Sequence, residues 1–229
     1  NYIQEEKFLD ALKSKMVDGI IYVSSNAQNS QKLLDGINTP IVFMDRRIDK
    51  TGNMGSVQID NYAAMKDVAH YISSKGCKKI AYISADISQS PSHERYDGFI
   101  DGLDECGISF DKRLHYAGTF SVETGQLGAM TLLQTSPDID CIVCGNDLMA
   151  IGAINICQKL GRNIPDDISI MGFDDIYISK YLNPGLTTVR QDAYEMGRQA
   201  ASMLIEYLDE HTPLSDVVLP YQIIERNTV

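Results

Sequence analysis

The feature that most constrains the fold is an alternation. Short apolar runs recur at Gly19–Val23, Ile41–Asp45, Ser56–Asp60, Lys79–Ser84, Leu114–Gly118, Cys141–Gly145 and Ile168–Phe173. Most are separated by longer segments of helical period. Several runs are apolar on successive positions rather than alternate ones, as in strands covered on both faces. Between them, Phe8, Leu9, Leu12 and Met16 share one helical face, as do Met65, Val68, Ala69 and Ile72. Further sets are Phe99, Ile100, Leu103 and Cys106; Leu148, Ile151, Ile154, Cys157 and Leu160; and Met196, Ala200, Leu204 and Leu208. Ser90 and Pro91 read as an N-cap and a first helical position, and Gly161 as a C-cap. Strand–helix–strand repeated this often implies an α/β protein with parallel sheets. Only three candidate strands precede Asp60, so the first sheet looks short of neighbours, and the coding sequence is expected to continue upstream.

Charge narrows the function classes. The formal net charge of -11 disfavours a chain that grips DNA through its overall field, because phosphate neutralisation dominates that affinity. The densest basic runs are only Arg46-Arg47 and Lys78-Lys79. No apolar run approaches the roughly 20 residues of a membrane helix. No basic start followed by an apolar core marks a signal peptide, so a cytoplasmic location is expected. The five cysteines, Cys77, Cys106, Cys141, Cys144 and Cys157, do not suggest a disulfide framework in a chain of this length. Cys141 and Cys144 spell C-x-x-C inside a strand and read as buried small side chains rather than a redox or zinc pair.

In open parallel sheets, ligands bind beyond the carboxyl ends of the strands. Ser24, Ser25 and Asn26 follow the first run, and Asp45 and Arg46 the second. Asp86 and then Arg95 follow Lys79–Ser84, and Phe120 follows Leu114–Gly118. Asn146 and Asp147 follow Cys141–Gly145, and Asp174 and Asp175 follow Ile168–Phe173. Sugar hydroxyls donate and accept at once, so a carboxylate beside Asn and Arg can hold two adjacent hydroxyls. Phe120 can stack on a ring face. Asp147 and Asp175 read first as helix caps or turn residues. For Asp174, Arg95 and Asn146, capping and ligand contact stay open. Other chemistry is thin: there is no G-x-G-x-x-G after a strand, no P-loop, and no G-x-S-x-G elbow. The glycines of Thr124–Met130 sit in a helical segment and suit close packing. His70, His93, His115 and His211 have no metal-ligand spacing. Neither a cofactor nor a metal is expected.

Read together, "VDGIIYVSS", "TPIVFMDRR", "SHERYDGF", "GNDLMAIGA", "IPDDISIMGFDD" and "PGLTTVRQDAYEMG" resemble the effector-binding core of the LacI/GalR family of bacterial transcription regulators. The closing "LPYQIIERNTV" resembles that family's end. The resemblance implies a periplasmic binding protein-like fold of type I: two doubly wound parallel-sheet α/β subdomains joined by three crossovers, with the effector between them. Residues 1–60 with 191–219 would form an N-subdomain lacking its first strands, and residues 61–190 with 220–229 a C-subdomain. Strand-like Thr187–Gln191 and Val218–Gln222 thereby find a place. The family's contacts imply Arg95, Asn146 and Asp174 as hydroxyl-binding residues. They imply Phe120 as the ring-facing aromatic, Ser25 and Asp45 from the other subdomain, and Gln191 at a crossover. The chain departs from the pattern at Ala193, where a bulky aromatic is common. The family further implies a homodimer, a small-molecule effector such as a sugar, and operator DNA bound through a helix-turn-helix absent from these residues. An effector must favour one subdomain arrangement to act.

Two other readings compete. A sugar-binding protein of a transport system would share the fold, but would carry a signal peptide and be monomeric. An enzyme on a doubly wound fold would need a nucleophile–base pair or a cofactor loop, which the sequence does not offer.

Overall fold

The structure, a computed structural model, describes residues 2–23, 34, 37–46, 53–88 and 90–229. The chain divides into two compact units. Unit 1 holds Asn1–Asp60, Gln89–Pro91 and Asp192–Pro220; unit 2 holds Asn61–Ser88, Ser92–Gln191 and Tyr221–Val229. The main connections are therefore at Asp60–Asn61, Gln191–Asp192 and Pro220–Tyr221.

Unit 1 contains helix α1 (Tyr2–Ser14), strands β1 (Ile20–Tyr22), β2 (Ile41–Met44) and β3 (Met54–Ile59), and, from the later segment, α6 (Ala193–Glu210) and β9 (Asp216–Leu219). The strands form a parallel sheet in the order β1-β2-β3-β9. Leu9 of α1 is buried with Ile20, Tyr22, Ile41, Phe43 and Met54. Helix α6 packs on β1, β2 and β3. Its approach is close: a Cβ on Gly55 would meet the terminal methyl of Met203 at 3.0 Å.

Unit 2 contains α2 (Asn61–Ser74), β4 (Ile80–Ala85), α3 (Ser92–Glu105), β5 (His115–Gly118), α4 (Val122–Thr135), β6 (Cys141–Cys144), α5 (Asp147–Lys159), β7 (Ser169–Asp174), β8 (Thr187–Gln191) and β10 (Tyr221–Ile224). Its sheet runs β10-β8-β7-β6-β4-β5. Only the β10–β8 pairing is antiparallel, with Tyr221 opposite Gln191 and Ile223 opposite Val189. Helices pair on each face: α2 with α3, and α4 with α5. Strand β4 shows why both faces are apolar. Ala81, Ile83 and Ala85 join the α4–α5 core, whereas Tyr82 turns to Phe99 of α3 at 5.0 Å. Full burial of side chains such as Ile83 stabilises by roughly 1.5–3 kcal/mol each.

Several expectations are corrected. Phe8 and Met16 are 66% and 86% exposed, so only Leu9, with part of Leu12, represents the apolar set of α1 in the core. Met16 lies past the helix end with φ 51°, where helical periodicity no longer applies. Leu148, Leu160 and Leu208 are also exposed. Leu148 and Leu208 lie in the terminal turns of their helices and Leu160 is the C-cap of α5, places where fewer neighbours cover a side chain. Leu114 closes a 3-10 turn instead of opening β5, because the Asp111 side chain accepts from Arg113 N and caps that turn locally. Helix α3 begins at Ser92, one residue past Pro91. Gly161, with φ 73°, does end α5, and Arg162 N reaches back to Cys157 O.

Candidate functional site

In unit 2 the sheet order sets a row of side chains at the carboxyl ends of its parallel strands. Gln191 ends β8, Asp174 ends β7, Asn146 follows β6, Asp86 follows β4 and Phe120 follows β5. Adjacent strands thus present an amide, a carboxylate, an amide, a carboxylate and an aromatic ring in sequence. No one stretch of chain could do this.

Arg95 anchors the row from the first turn of α3 and is only 2% exposed. Its Nε donates to Asn61 Oδ1 at 2.8 Å and its Nη1 to Gly145 O at 2.8 Å. Nη1 also lies 3.7 Å from Asp174 Oδ1, and the guanidinium stacks 3.7 Å above the Phe173 ring. A buried cation is tolerated when its charge and donors are matched this way. Asp174 Oδ1 accepts from Gln191 Nε2 at 2.7 Å. The structure therefore brings Arg95, Asp174 and Gln191 into one network with Asn61. Two polar atoms of that network, Gln191 Oε1 and Asn61 Nδ2, are buried with no hydrogen-bond partner among the described residues. Buried polar atoms are rarely left so.

Asn146 is a helix cap. Its Oδ1 caps α5 by accepting from Met149 N at 3.0 Å, and its amide nitrogen is a donor that this cap does not use. Capping and ligand contact are compatible here. Phe120 is 38% exposed beside the N-cap of α4.

The backbone around Asp174 is under tension. Asp174 and Asp175 have φ of 109° and 54°, a region costing about 1–3 kcal/mol per non-glycine residue. Two buried devices hold them. Asp175 is no cap: it pairs with Arg190 at 2.7 Å and Arg226 at 2.6 Å. Asp147, also expected as a cap or turn residue, is fully buried at the start of α5. It accepts from Ile176 N at 2.9 Å, Ser179 Oγ at 2.5 Å and Thr188 Oγ1 at 2.6 Å. Burial pushes its pKa up against the lowering effect of those donors. Gly172 is required beneath it, since a Cβ there would run into Asp147 Oδ1.

Asp45 lies in unit 1, at the end of β2, and also has a positive φ, 56°. Its neighbour Arg46 is buried, and that burial lowers its pKa despite the nearby Asp45 and Glu5 carboxylates. Ser25 lies outside the described residues. Asn61, Asp147 and Arg226 were not singled out from sequence as parts of the site. The one available signal was Asn61, a polar residue where the chain leaves a strand for a helix. Among the described residues, no group of three or more His, Cys, Asp or Glu could hold a metal ion, and no helix is long and apolar enough to cross a membrane.

Residues 69–229 match the periplasmic binding protein-like domain family. The HTH-type transcriptional regulator RegA of Clostridium saccharobutylicum is 33% identical over 228 residues, covering 98% of this chain and 68% of that protein. The chain belongs to the LacI/GalR family. Solved structures agree with that placement. The transcription regulator CcpA of Lactococcus lactis superposes with a TM-score of 0.90 at 31% identity, covering 100% of this chain and 84% of that one. A complex of the transcriptional regulator CelR with cellobiose gives a TM-score of 0.90 at 25% identity, covering 99% and 70%. This LacI/GalR chain spans about two thirds of the length of its curated relatives.

Proposed function

We propose that this chain is the effector-binding core of a DNA-binding transcription regulator, and that unit 2 grips a polar, hydroxyl-rich small molecule, a sugar, at the carboxyl ends of its strands. The observation that carries the reading is the Arg95–Asp174–Gln191 network, in which a buried guanidinium meets a partly exposed carboxylate and amide. Asp174 offers acceptors, Asn146 a donor and Phe120 a ring face. Gln191 Oε1 and Asn61 Nδ2 are orphaned polar atoms that a hydroxyl group can satisfy. A related regulator solved in complex with cellobiose supports the sugar class. Asp45 and Ser25 are proposed as further contacts from unit 1. The reading is one of binding, with no catalytic step. The protein is proposed to act in the cytoplasm as a homodimer, contacting operator DNA through a helix-turn-helix outside these residues.

For regulation, the effector must bind one conformation of the protein better than the other. Moving a balance from 1:99 to 99:1 takes about 5.5 kcal/mol of differential affinity. Two or three charge-assisted hydrogen bonds at roughly 1.5–3 kcal/mol each supply that amount. A thermal-shift screen with pentoses, hexoses, disaccharides and nucleosides tests the proposal. At least one sugar is expected to raise the melting temperature of the wild type and not of Asp174→Ala. A screen in which only non-sugars stabilise, or in which Asp174→Ala responds like the wild type, overturns it.

A further inference from the structure

Past β10 the chain is tied back into the unit 2 sheet. Thr228 sits in the fork ahead of the β7–β8 ladder, whose first pair is Met171 with Thr187. Its carbonyl accepts from Ile170 N at 2.7 Å and its hydroxyl from Thr187 N at 2.8 Å. Asn227 N donates to Gly185 O at 2.9 Å. Thr187 and Thr228 are fully buried, so water cannot replace these partners. Arg226 carries the same anchorage toward the ligand row. Its N donates to Thr187 Oγ1 at 3.0 Å, its Nη1 to Leu186 O at 2.7 Å and its Nη2 to Asp175 Oδ1 at 2.6 Å.

The two arginines that hold Asp175 are not equal. The Arg190 side chain is 47% exposed and that of Arg226 only 14%. Solvent screens the first pair strongly and the second far less. Arg226 is also fixed at its amide and at both guanidinium arms. What it fixes is a turn in an unfavourable conformation. Asp174 and Asp175 have φ of 109° and 54°, and such backbone persists only where its surroundings impose it. The direction of the Asp174 side chain depends on that turn. Its Oδ1 accepts from Gln191 Nε2 at 2.7 Å and lies 3.7 Å from Arg95 Nη1. Relaxation of the turn to negative φ would swing the carboxylate off both.

We infer that Arg226 is a positioning residue for the Asp174 carboxylate: from its anchorage at the start of β8 it clasps Asp175, and thereby keeps Asp174 in the backbone conformation that aims it at a ligand. Arg226 acts through Asp175 and makes no ligand contact of its own. The inference rests on the reading of Asp174 as a ligand acceptor, and its test is read without any ligand, so the two can fail separately.

The test is NMR of the whole chain. In Arg226→Met the backbone shifts of Asp174 and Asp175, which report φ, are expected to move toward those of negative φ. The Gln191 side-chain amide signals are expected to lose the downfield position that a bond to a carboxylate gives them. Arg190→Ala and the charge-retaining Arg226→Lys are expected to keep the wild-type signals. A residue that only adds stability would lower the urea midpoint and leave these signals of the folded state unmoved, and that result overturns the inference. The wild type gives a second readout that needs no variant to fold. Nitrogen relaxation at Arg226 Nε is expected to give an order parameter near ~0.85, as for rigid backbone, and one below ~0.6 overturns the clasp. D-ribose, D-glucose and cellobiose serve as binding probes. A sugar bound equally by the wild type and Asp174→Ala removes the reading of Asp174, while the clasp is still decided by the NMR signals. A sugar that needs Asp174 is expected to bind Arg226→Met at least ~10-fold more weakly, and equal affinity overturns the inference.

Discussion

Asp147→Ala probes the support beneath the candidate site. The carboxylate is fully buried and accepts from Ile176 N, Ser179 Oγ and Thr188 Oγ1. Ser179 and Thr188 are themselves fully buried, so their hydroxyls cannot turn to water. At about 1–3 kcal/mol for each orphaned donor, the gross loss reaches several kcal/mol. Two effects offset it. The variant no longer has to bury a carboxylate, and Thr188 Oγ1 already lies 3.5 Å from Val189 O and can shift toward it. The net expected loss is about 3 kcal/mol, at the upper end for a single substitution. In urea, with a slope of roughly 2 kcal/mol/M, the midpoint falls by about 1.5 M at unchanged slope. Thr188→Val removes one donor and is expected to cost about 1 kcal/mol. The sign with pH is fixed by burial, which raises the folded pKa of Asp147. The proton-linked part of its contribution is fully present below the ordinary value of 3.8 and is lost as pH rises through the raised folded value, while the hydrogen bonds to Ile176, Ser179 and Thr188 remain. Asp147→Asn cannot titrate, so its stability profile is flatter across that window. A loss under about 1 kcal/mol for Asp147→Ala, or equal costs for Asp147→Ala and Thr188→Val, refutes the reasoning.

Two further outcomes follow from the packing and titration of unit 2. Gly125→Ala places a Cβ against the Met149 carbonyl of α5 and is expected to lower the urea midpoint by the equivalent of about 2–3 kcal/mol, whereas Gly161→Asn, in open space at φ 73°, costs under about 1 kcal/mol. His115 is held below its ordinary pKa by burial, so the stability it lends in its neutral form is present above 6.5 and is lost as pH falls through the lowered value. Urea midpoints near pH 7.5 and pH 5 should therefore differ less in His115→Phe than in the wild type.

Much of unit 2 was legible because its strands are continuous apolar runs and its helices carry one apolar face. The same logic located Arg95, Asn146, Asp174 and Phe120, since carboxyl ends of parallel strands can be found by counting residues past each run. What sequence could not show is pairing across distance. Asp175 reads as a turn residue until Arg190 and Arg226, far along the chain, are seen on either side of it. Asp147 reads as a cap because its partners at Ser179 and Thr188 are set by the β7–β8 connection. Asn61 gives no sign that Arg95 will donate to it. Cys141 and Cys144 read as buried small side chains, in a strand where side chains three apart point to opposite faces, and both are fully buried. Phe8 and Met16 misled because spacing alone does not say where a helix ends.

The central claim is that Asp174 is a ligand acceptor held in place by Arg95 and Gln191. Titration calorimetry of the sugar that most stabilises the wild type, repeated on Asp174→Ala, tests it most directly. Losing two hydrogen bonds to a charged group predicts an affinity at least ~100-fold weaker. The variant leaves the buried Arg95 without this carboxylate, so its urea midpoint is expected to fall, and the titration is run where its circular dichroism shows it folded. An affinity within about threefold of the wild type, in a variant that is folded, contradicts the account.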